Sequence, residues 1–345
     1  MPTAPSFLNV LQSTARALVD PGKGILAADE SFGTIGRRFA EHGIPFTREN
    51  RQAYRELLAT TPKLGDFISG MILFDETLGQ TIVDGTALPA ALVRQGIIPG
   101  IKVDTGTRAL PAFAGETTTR GLDNLRARLA DYAQLGARFT KWRATFSIGE
   151  GRPTATAIEA NARMLALFAA TSQEAGLVPI VEPEILMAGS HTLVRCEQIT
   201  HGVLETVFAR LKEHRVAFDG MLLKAAMVTP GDACAQRATD SEIAQATLET
   251  FRHVVPAAVP GIVLLSGGQD DVDATERLND ICRRGDTPWT LSFSFGRALQ
   301  QGALKIWAGN AANAGAAQTE LLRRARLNAL AVQGLYPVGS ERTIA

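Results

Sequence analysis

The chain has 345 residues, 46 % of them hydrophobic, and its 35 basic residues balance 35 acidic ones, which allows one large core and gives no charge excess to draw it to nucleic acid or an anionic membrane. Its three cysteines, Cys196, Cys234 and Cys282, are odd in number and lack C-x-x-C spacing, which argues against a disulfide framework or thiolate metal site and for a reducing cytoplasm. The opening MPTAPSFLNVLQSTARALVDPGKG has no basic stretch followed by a long apolar run, and no later segment approaches the ~18 apolar residues of a spanning helix.

Short apolar runs bounded by Gly, Pro or charge recur along the chain. In order they are GILAAD (24–29), ISGMILF (68–74), IPGIKVD (98–104), ARFTKWR (137–143), LVPIVEPE (177–184), DGMLLK (219–224), GIVLLSGG (261–268) and TPWTLSFSFG (287–296). Segments with helical periodicity lie between them, among them 121–134, 153–175, 191–213 and 240–254. Strand alternating with helix implies a parallel sheet, and eight such units imply a closed α/β (β/α)8 barrel of the TIM type. The expected division is a single barrel domain over 1–334 and a short, flexible tail over 335–345, reading LYPVGSERTIA after Gly334. No strand is followed by G-x-G-x-x-G, so a dinucleotide-binding fold has little support.

Nearly every apolar run ends in polar residues: Asp29; Lys102 and Asp104; Lys141 and Arg143; Glu182 and Glu184; Lys224; Ser266; Ser294 with Arg297. One polar strand end is ordinarily a loop residue or a helix cap. Seven together are not, because a barrel carries its active site at the carboxyl ends of its strands. Side chains at i and i+2 share a face, so Lys141 joins Arg143 and Glu182 joins Glu184 at one mouth. Only seven of the 35 basic residues are lysines, leaving 28 arginines. Lys224 follows Met221, Leu222 and Leu223, and a lysine so buried needs a reason.

A buried amine near other cations is pushed toward its neutral, nucleophilic form, able to attack a ketone and form an imine. Lys224 is the candidate nucleophile, with Lys141 the neighbouring charge. Glu182, Glu184 and Asp29 can carry the protons that imine formation and carbon–carbon cleavage require. Two carboxylates two residues apart raise each other's pKa unless cations intervene. Phosphate has two candidate cradles: Ser266-Gly267-Gly268, and Ser294-Phe295-Gly296-Arg297 at a helix start. On the opposite wall, Ser31, Lys102 and Arg143 can hold a second phosphate. The histidines His42, His191, His201, His214 and His253 show no short ligand spacing, so no metal site and no cofactor is expected.

The blocks GKGILAADES (22–31), ENRQAYRELL (49–58), GIKVD (100–104), GETTTRGLD (115–123), KWR (141–143), VPIVEPEIL (178–186), LLKAAMVTPG (222–231), LSGGQ (265–269) and FSFGRALQ (293–300) resemble those of class I fructose-1,6-bisphosphate aldolases. The resemblance implies a metal-independent lyase of glycolysis and gluconeogenesis that cleaves a phosphorylated ketose through a lysine Schiff base. It implies Lys224 as the Schiff-base lysine, Glu182 as proton shuttle, Asp29 as the base for C3–C4 cleavage, and Lys141 and Glu184 as supporting charges. Ser266, Gly267, Gly296 and Arg297 match the C1-phosphate site. Ser31, Thr34, Lys102 and Arg143 match the C6-phosphate side. A cytoplasmic homotetramer acting on sugar phosphates is the corresponding partner expectation.

There are departures from the family pattern. Ala225-Ala226 stand where the family has Pro-Asn, Phe295 replaces a Tyr, and Thr34 replaces a Ser. The chain reaches Ala345 without the long tail and terminal tyrosine of the animal enzymes, so another group must protonate the enamine left after cleavage; Glu182 is the first choice and Tyr336 the rival. An aldolase preferring fructose 1-phosphate or sedoheptulose bisphosphate is the alternative enzyme reading. A sugar-phosphate binder without turnover is the alternative from another class, opposed by the presence of Lys224, Glu182, Asp29 and Lys141.

Overall fold

The structure is a computed structural model, described here for residues 5–339 and 341. Its strands are β1 Gly24–Ala28, β2 Ile68–Leu73, β3 Ile98–Lys102, β4 Thr107–Ala109, β5 Thr117–Thr119, β6 Phe139–Phe146, β7 Val178–Ile185, β8 Leu222–Ala226, β9 Gly261–Leu265 and β10 Thr290–Phe295. Its α-helices are α1 Pro5–Leu18, α2 Phe32–Ala40, α3 Arg48–Ala59, α4 Asp75–Leu78, α5 Leu88–Arg94, α6 Leu125–Gln134, α7 Ala155–Glu174, α8 Leu193–Glu213, α9 Asp240–Val254, α10 Asp271–Arg283, α11 Arg297–Trp307 and α12 Ala314–Val332. Eight strands close a parallel barrel in the order β1-β10-β9-β8-β7-β6-β3-β2. The eight-strand (β/α)8 barrel expected from the apolar runs is therefore the fold, and the four helical segments start and stop within a few residues of their expected bounds.

Helix starts follow from the sequence. Thr154, Thr192 and Thr239 each accept a hydrogen bond from the N–H three residues on, which satisfies an otherwise orphaned donor. Thr239 and Glu242 complete a capping box.

Two packed layers hold the barrel. Helices cover its outside, as where Trp142 of β6 stacks on Phe168 of α7 at 5.5 Å. Inside, Leu11, Ala15 and Leu18 of α1 plug the N-terminal end against Ile25, Ile72, Phe139, Ile180, Leu222 and Val263. Gly100 makes room for this plug, since a Cβ there would lie 2.2 Å from the Phe139 ring. Alternation then carries every second residue inward, so strands such as β6, β7 and β8 contribute apolar side chains below, Phe139, Ile180 and Leu222, and charged ones above, Lys141, Glu182 and Lys224.

Two expectations need correction, and the tail makes specific contacts. β8 begins at Leu222, after a 3-10 turn over Phe218–Gly220, and continues to Ala226, so Lys224 sits inside the strand rather than at its end. β4 and β5, an antiparallel hairpin between β3 and α6, have no counterpart among the expected runs. The tail is not loose at Tyr336, which is 4 % exposed and donates from its hydroxyl to Glu341 Oε1 at 2.7 Å. Burying that ring in the main hydrophobic core outweighs the polar composition around it; Tyr336 N–H also donates to Asn279 Oδ1 of α10 at 3.1 Å. Ser340 and residues 342–345 of the expected tail, like the first four residues of the expected barrel domain, lie outside the described residues.

Candidate active site

The strand register stacks the charged residues into one layer. Lys102 pairs in register with Lys141, and Arg143 with Glu182. Lys141 and Leu222 both lie opposite Ile180, so Glu182 and Lys224 rise one step above it on neighbouring strands. Below is the apolar plug; above opens a cleft of about 1050 Å³ whose lining includes every site residue expected from the sequence.

Glu182 lies between the two buried lysines. Its Oε1 is 3.1 Å from Lys224 Nζ and its Oε2 is 3.2 Å from Lys141 Nζ. The second contact is ionic without hydrogen-bond alignment, because Glu182 Oε2 has no hydrogen-bond partner among the described residues. Lys141 Nζ also reaches Asp29 Oδ2 at 2.6 Å. Asp29, Lys141, Glu182 and Lys224 thus form one chain of alternating charge, each member under 10 % exposed.

Electrostatics explains its ionisation. Burial pushes the Asp29 carboxyl up, but Lys141 and Lys224 outweigh it and hold Asp29 at about 2. Burial likewise acts to raise Glu182, and Lys141, Lys224 and Arg143 overcome it and draw the carboxyl below its ordinary range. Burial works against the Lys141 ammonium, while Asp29 and Glu182 keep it charged and raise its pKa. Mutual elevation of Glu182 and Glu184 is accordingly not the governing effect at Glu182, since cations intervene.

Glu184 pairs with Arg143 Nε. Lys102 Nζ donates to the Asp104 carboxylate and to the Asp104 carbonyl, both at 2.6 Å, and Arg143 N–H donates to Asp104 Oδ2 at 3.2 Å. The two cations of the expected C6-phosphate wall are therefore pre-positioned by carboxylates. Ser31 and Thr34, at the start of α2, have hydroxyls 3.3 Å apart.

The other wall is built from backbone. Gly267 and Gly268 have φ of +50° and +92°, which a side chain would strain, and the Gln269 N–H closes the turn on the Ser266 carbonyl at 2.9 Å. Gly296 opens α11 without a side-chain cap, so the first-turn N–H groups other than that of Leu299, which donates to the Gly296 carbonyl at 3.2 Å, remain available to an anion beside Arg297.

Ser294, expected in the phosphate cradle after the eighth strand, lines the cleft with its hydroxyl buried and without a hydrogen-bond partner among the described residues. Sequence reasoning missed one feature. Glu30, next to Asp29, turns the other way and pairs with Arg38 of α2 and, at 2.6 Å, with Arg55 of α3. No spacing signal announces those pairings. Adjacent carboxylates so anchored on opposite sides hold the peptide after β1.

The profile of the family described as glycolytic, fructose-bisphosphate aldolase class-I, matches residues 10–345. The chain belongs to the class-I fructose-bisphosphate aldolase family. A probable fructose-bisphosphate aldolase class 1 of Xanthomonas axonopodis is 52 % identical over 327 residues, covering 94 % of this chain and 98 % of the relative. The cytosolic fructose-bisphosphate aldolase 5 of Arabidopsis thaliana is 49 % identical over 339 residues, 97 % of this chain and 93 % of its own. Among solved structures, Plasmodium falciparum fructose-bisphosphate aldolase, crystallised with TRAP and a small-molecule inhibitor, superposes with a TM-score of 0.97 at 45 % identity, covering 98 % of each chain. Among the described residues, no helix is long and apolar enough to cross a membrane, and no three His, Cys, Asp or Glu side chains are grouped to hold a metal.

Proposed function

We propose that this member of the family cleaves fructose 1,6-bisphosphate reversibly into dihydroxyacetone phosphate and glyceraldehyde 3-phosphate through an imine on Lys224, without a metal. The observation that carries the reading is the Lys224–Glu182–Lys141–Asp29 chain, a buried amine beside a carboxylate that can take its proton.

On substrate entry, Glu182 takes the proton of the Lys224 ammonium, and the neutral amine adds to the C2 ketone. Glu182 returns that proton to the departing C2 hydroxyl, water leaves, and a protonated imine remains. Asp29 then takes the C4 hydroxyl proton while the C3–C4 bond breaks; its electron pair moves into the imine to form an enamine, and the aldehyde departs. Lys141, touching both carboxylates, passes a proton to Glu182 and receives the one on Asp29. Glu182 protonates the enamine at C3, and water releases dihydroxyacetone phosphate. Tyr336 has no part in this scheme, because its hydroxyl is engaged by Glu341 and it is not among the residues lining the cleft.

Ser266, Gly267, Gly296 and Arg297 hold the C1 phosphate in this reading, and Ser31, Thr34, Lys102 and Arg143 the C6 phosphate. Glu184 holds Arg143 in place. A cytoplasmic homotetramer belongs to the same reading, the location supported by the cytosolic Arabidopsis relative. The test is cleavage of fructose 1,6-bisphosphate in excess EDTA, wild type against Lys224→Ala. The expected result is full wild-type activity and none in the variant; loss of wild-type activity in EDTA, or turnover by the variant, overturns the proposal.

A further inference from the structure

We infer that Arg324 and Glu341 form a brace that positions the C1-phosphate cradle, with Arg324 joining the two helices that follow the phosphate loops and Glu341 locking it from the tail. The inference rests on the proposed assignment of Ser266–Gly267 and Gly296–Arg297 to the C1 phosphate.

Arg324 lies in α12 and is 1 % exposed, among the largest fully buried side chains of the molecule. A guanidinium there is costly unless all its faces are used. Nε donates to the Ala298 carbonyl at 3.2 Å. Nη2 donates to the Asp271 carbonyl and to Thr275 Oγ1, both at 2.7 Å. Nη1 donates to both carboxylate oxygens of Glu341, at 2.7 and 2.9 Å.

The partners make the case. Ala298 is the second residue of α11, one after Arg297, and Asp271 is the first residue of α10, just beyond the Ser266–Gln269 turn. One planar group therefore spans the first turns of both helices, and its rigid fork sets the distance between the loops that would close on a phosphate. Packing alone does not need a charged group at this point. Glu341 supplies the matching charge and is itself held by Arg323 Nη1 at 2.6 Å and by the Tyr336 hydroxyl at 2.7 Å. Glu341 thus acts on the phosphate end from behind, and none of the described tail residues lines the cleft.

The condensation direction separates the two phosphate ends, because dihydroxyacetone phosphate carries the C1 phosphate and glyceraldehyde 3-phosphate the C6 phosphate. Arg324→Lys keeps the charge but loses the fork, and Glu341→Gln keeps Arg324 but removes its counter-charge on a less buried side chain. Each is expected to raise KM for dihydroxyacetone phosphate roughly 2- to 30-fold, the usual effect of a change that acts on a site without touching its ligand, with KM for glyceraldehyde 3-phosphate unchanged and thermal unfolding still cooperative. The two effects should be less than additive in the double variant. Equal rises in both KM values, or no rise in either Glu341→Gln or Arg324→Lys, overturn the brace. Arg297→Ala serves as control: if it raises KM for glyceraldehyde 3-phosphate instead, the phosphate assignment has failed, whereas an Arg297 effect on dihydroxyacetone phosphate without an Arg324 or Glu341 effect sinks the brace alone.

Discussion

Replacing Asp29 by Asn removes the proposed cleavage base while leaving Lys224 and both phosphate walls intact. Asp29 is held at about 2, against an ordinary 3.8, by Lys141 and Lys224 despite its burial. A folded pKa lowered by that much corresponds to roughly 2–3 kcal/mol of stability. Since the shift is downward, that contribution is fully present above the unfolded-state pKa and is lost as pH falls through about 2. The Asn variant should therefore be less stable than wild type by a constant amount between about pH 5 and 8, and the gap should narrow below about pH 4. Catalysis should suffer more: loss of a general base costs about 10²–10⁴-fold, or ~3–5 kcal/mol on the barrier. Imine formation, which needs Lys224 and Glu182, should persist. Borohydride trapping with dihydroxyacetone phosphate measures the imine, a coupled assay of glyceraldehyde 3-phosphate release measures cleavage, and urea unfolding across pH measures stability. Cleavage within a few-fold of wild type, or trapping and cleavage falling together, would refute the division of labour between Asp29 and Glu182.

The remaining predictions concern the walls. Arg297→Ala should weaken dihydroxyacetone phosphate by about 1.5–3 kcal/mol and Lys102→Ala should weaken glyceraldehyde 3-phosphate by a similar amount, as for charge-assisted contacts; separate KM values in condensation decide, and a crossed pattern exchanges the two phosphate ends. Glu30→Gln strips the shared carboxylate from Arg38 and Arg55 and should cost on the order of 3–5 kcal/mol in urea unfolding; a loss under about 1 kcal/mol would mean the pairs are solvent-screened like surface ones.

The barrel was legible because strand and helix periodicities differ and because its eight parallel strands are nearly continuous apolar runs. The charged layer was legible for the same reason: Lys141 with Arg143, and Glu182 with Glu184, must share a face once their strands are assigned. The hairpin of β4 and β5 escaped because each strand has three residues and Thr107–Ala109 is exposed, leaving no apolar run to mark it. The start of β8 was misplaced because Asp219 and Gly220 precede the apolar residues in a 3-10 turn that alternation does not distinguish. Glu30 with Arg55, 25 residues apart, and Arg324 with Asp271, 53 apart, are pairings of tertiary packing that no local spacing encodes. Composition speaks for the average residue of the tail and does not announce that Tyr336 and Glu341 each have a specific partner.

The central claim is that bond cleavage runs through an imine on Lys224, and site mapping of the reduced adduct addresses it most directly. The enzyme is incubated with dihydroxyacetone phosphate and borohydride in EDTA, digested, and read by peptide mass spectrometry. The expected result is stoichiometric inactivation with one adduct on Lys224. An adduct on Lys102 or Lys141, or full activity with no adduct, would contradict the account.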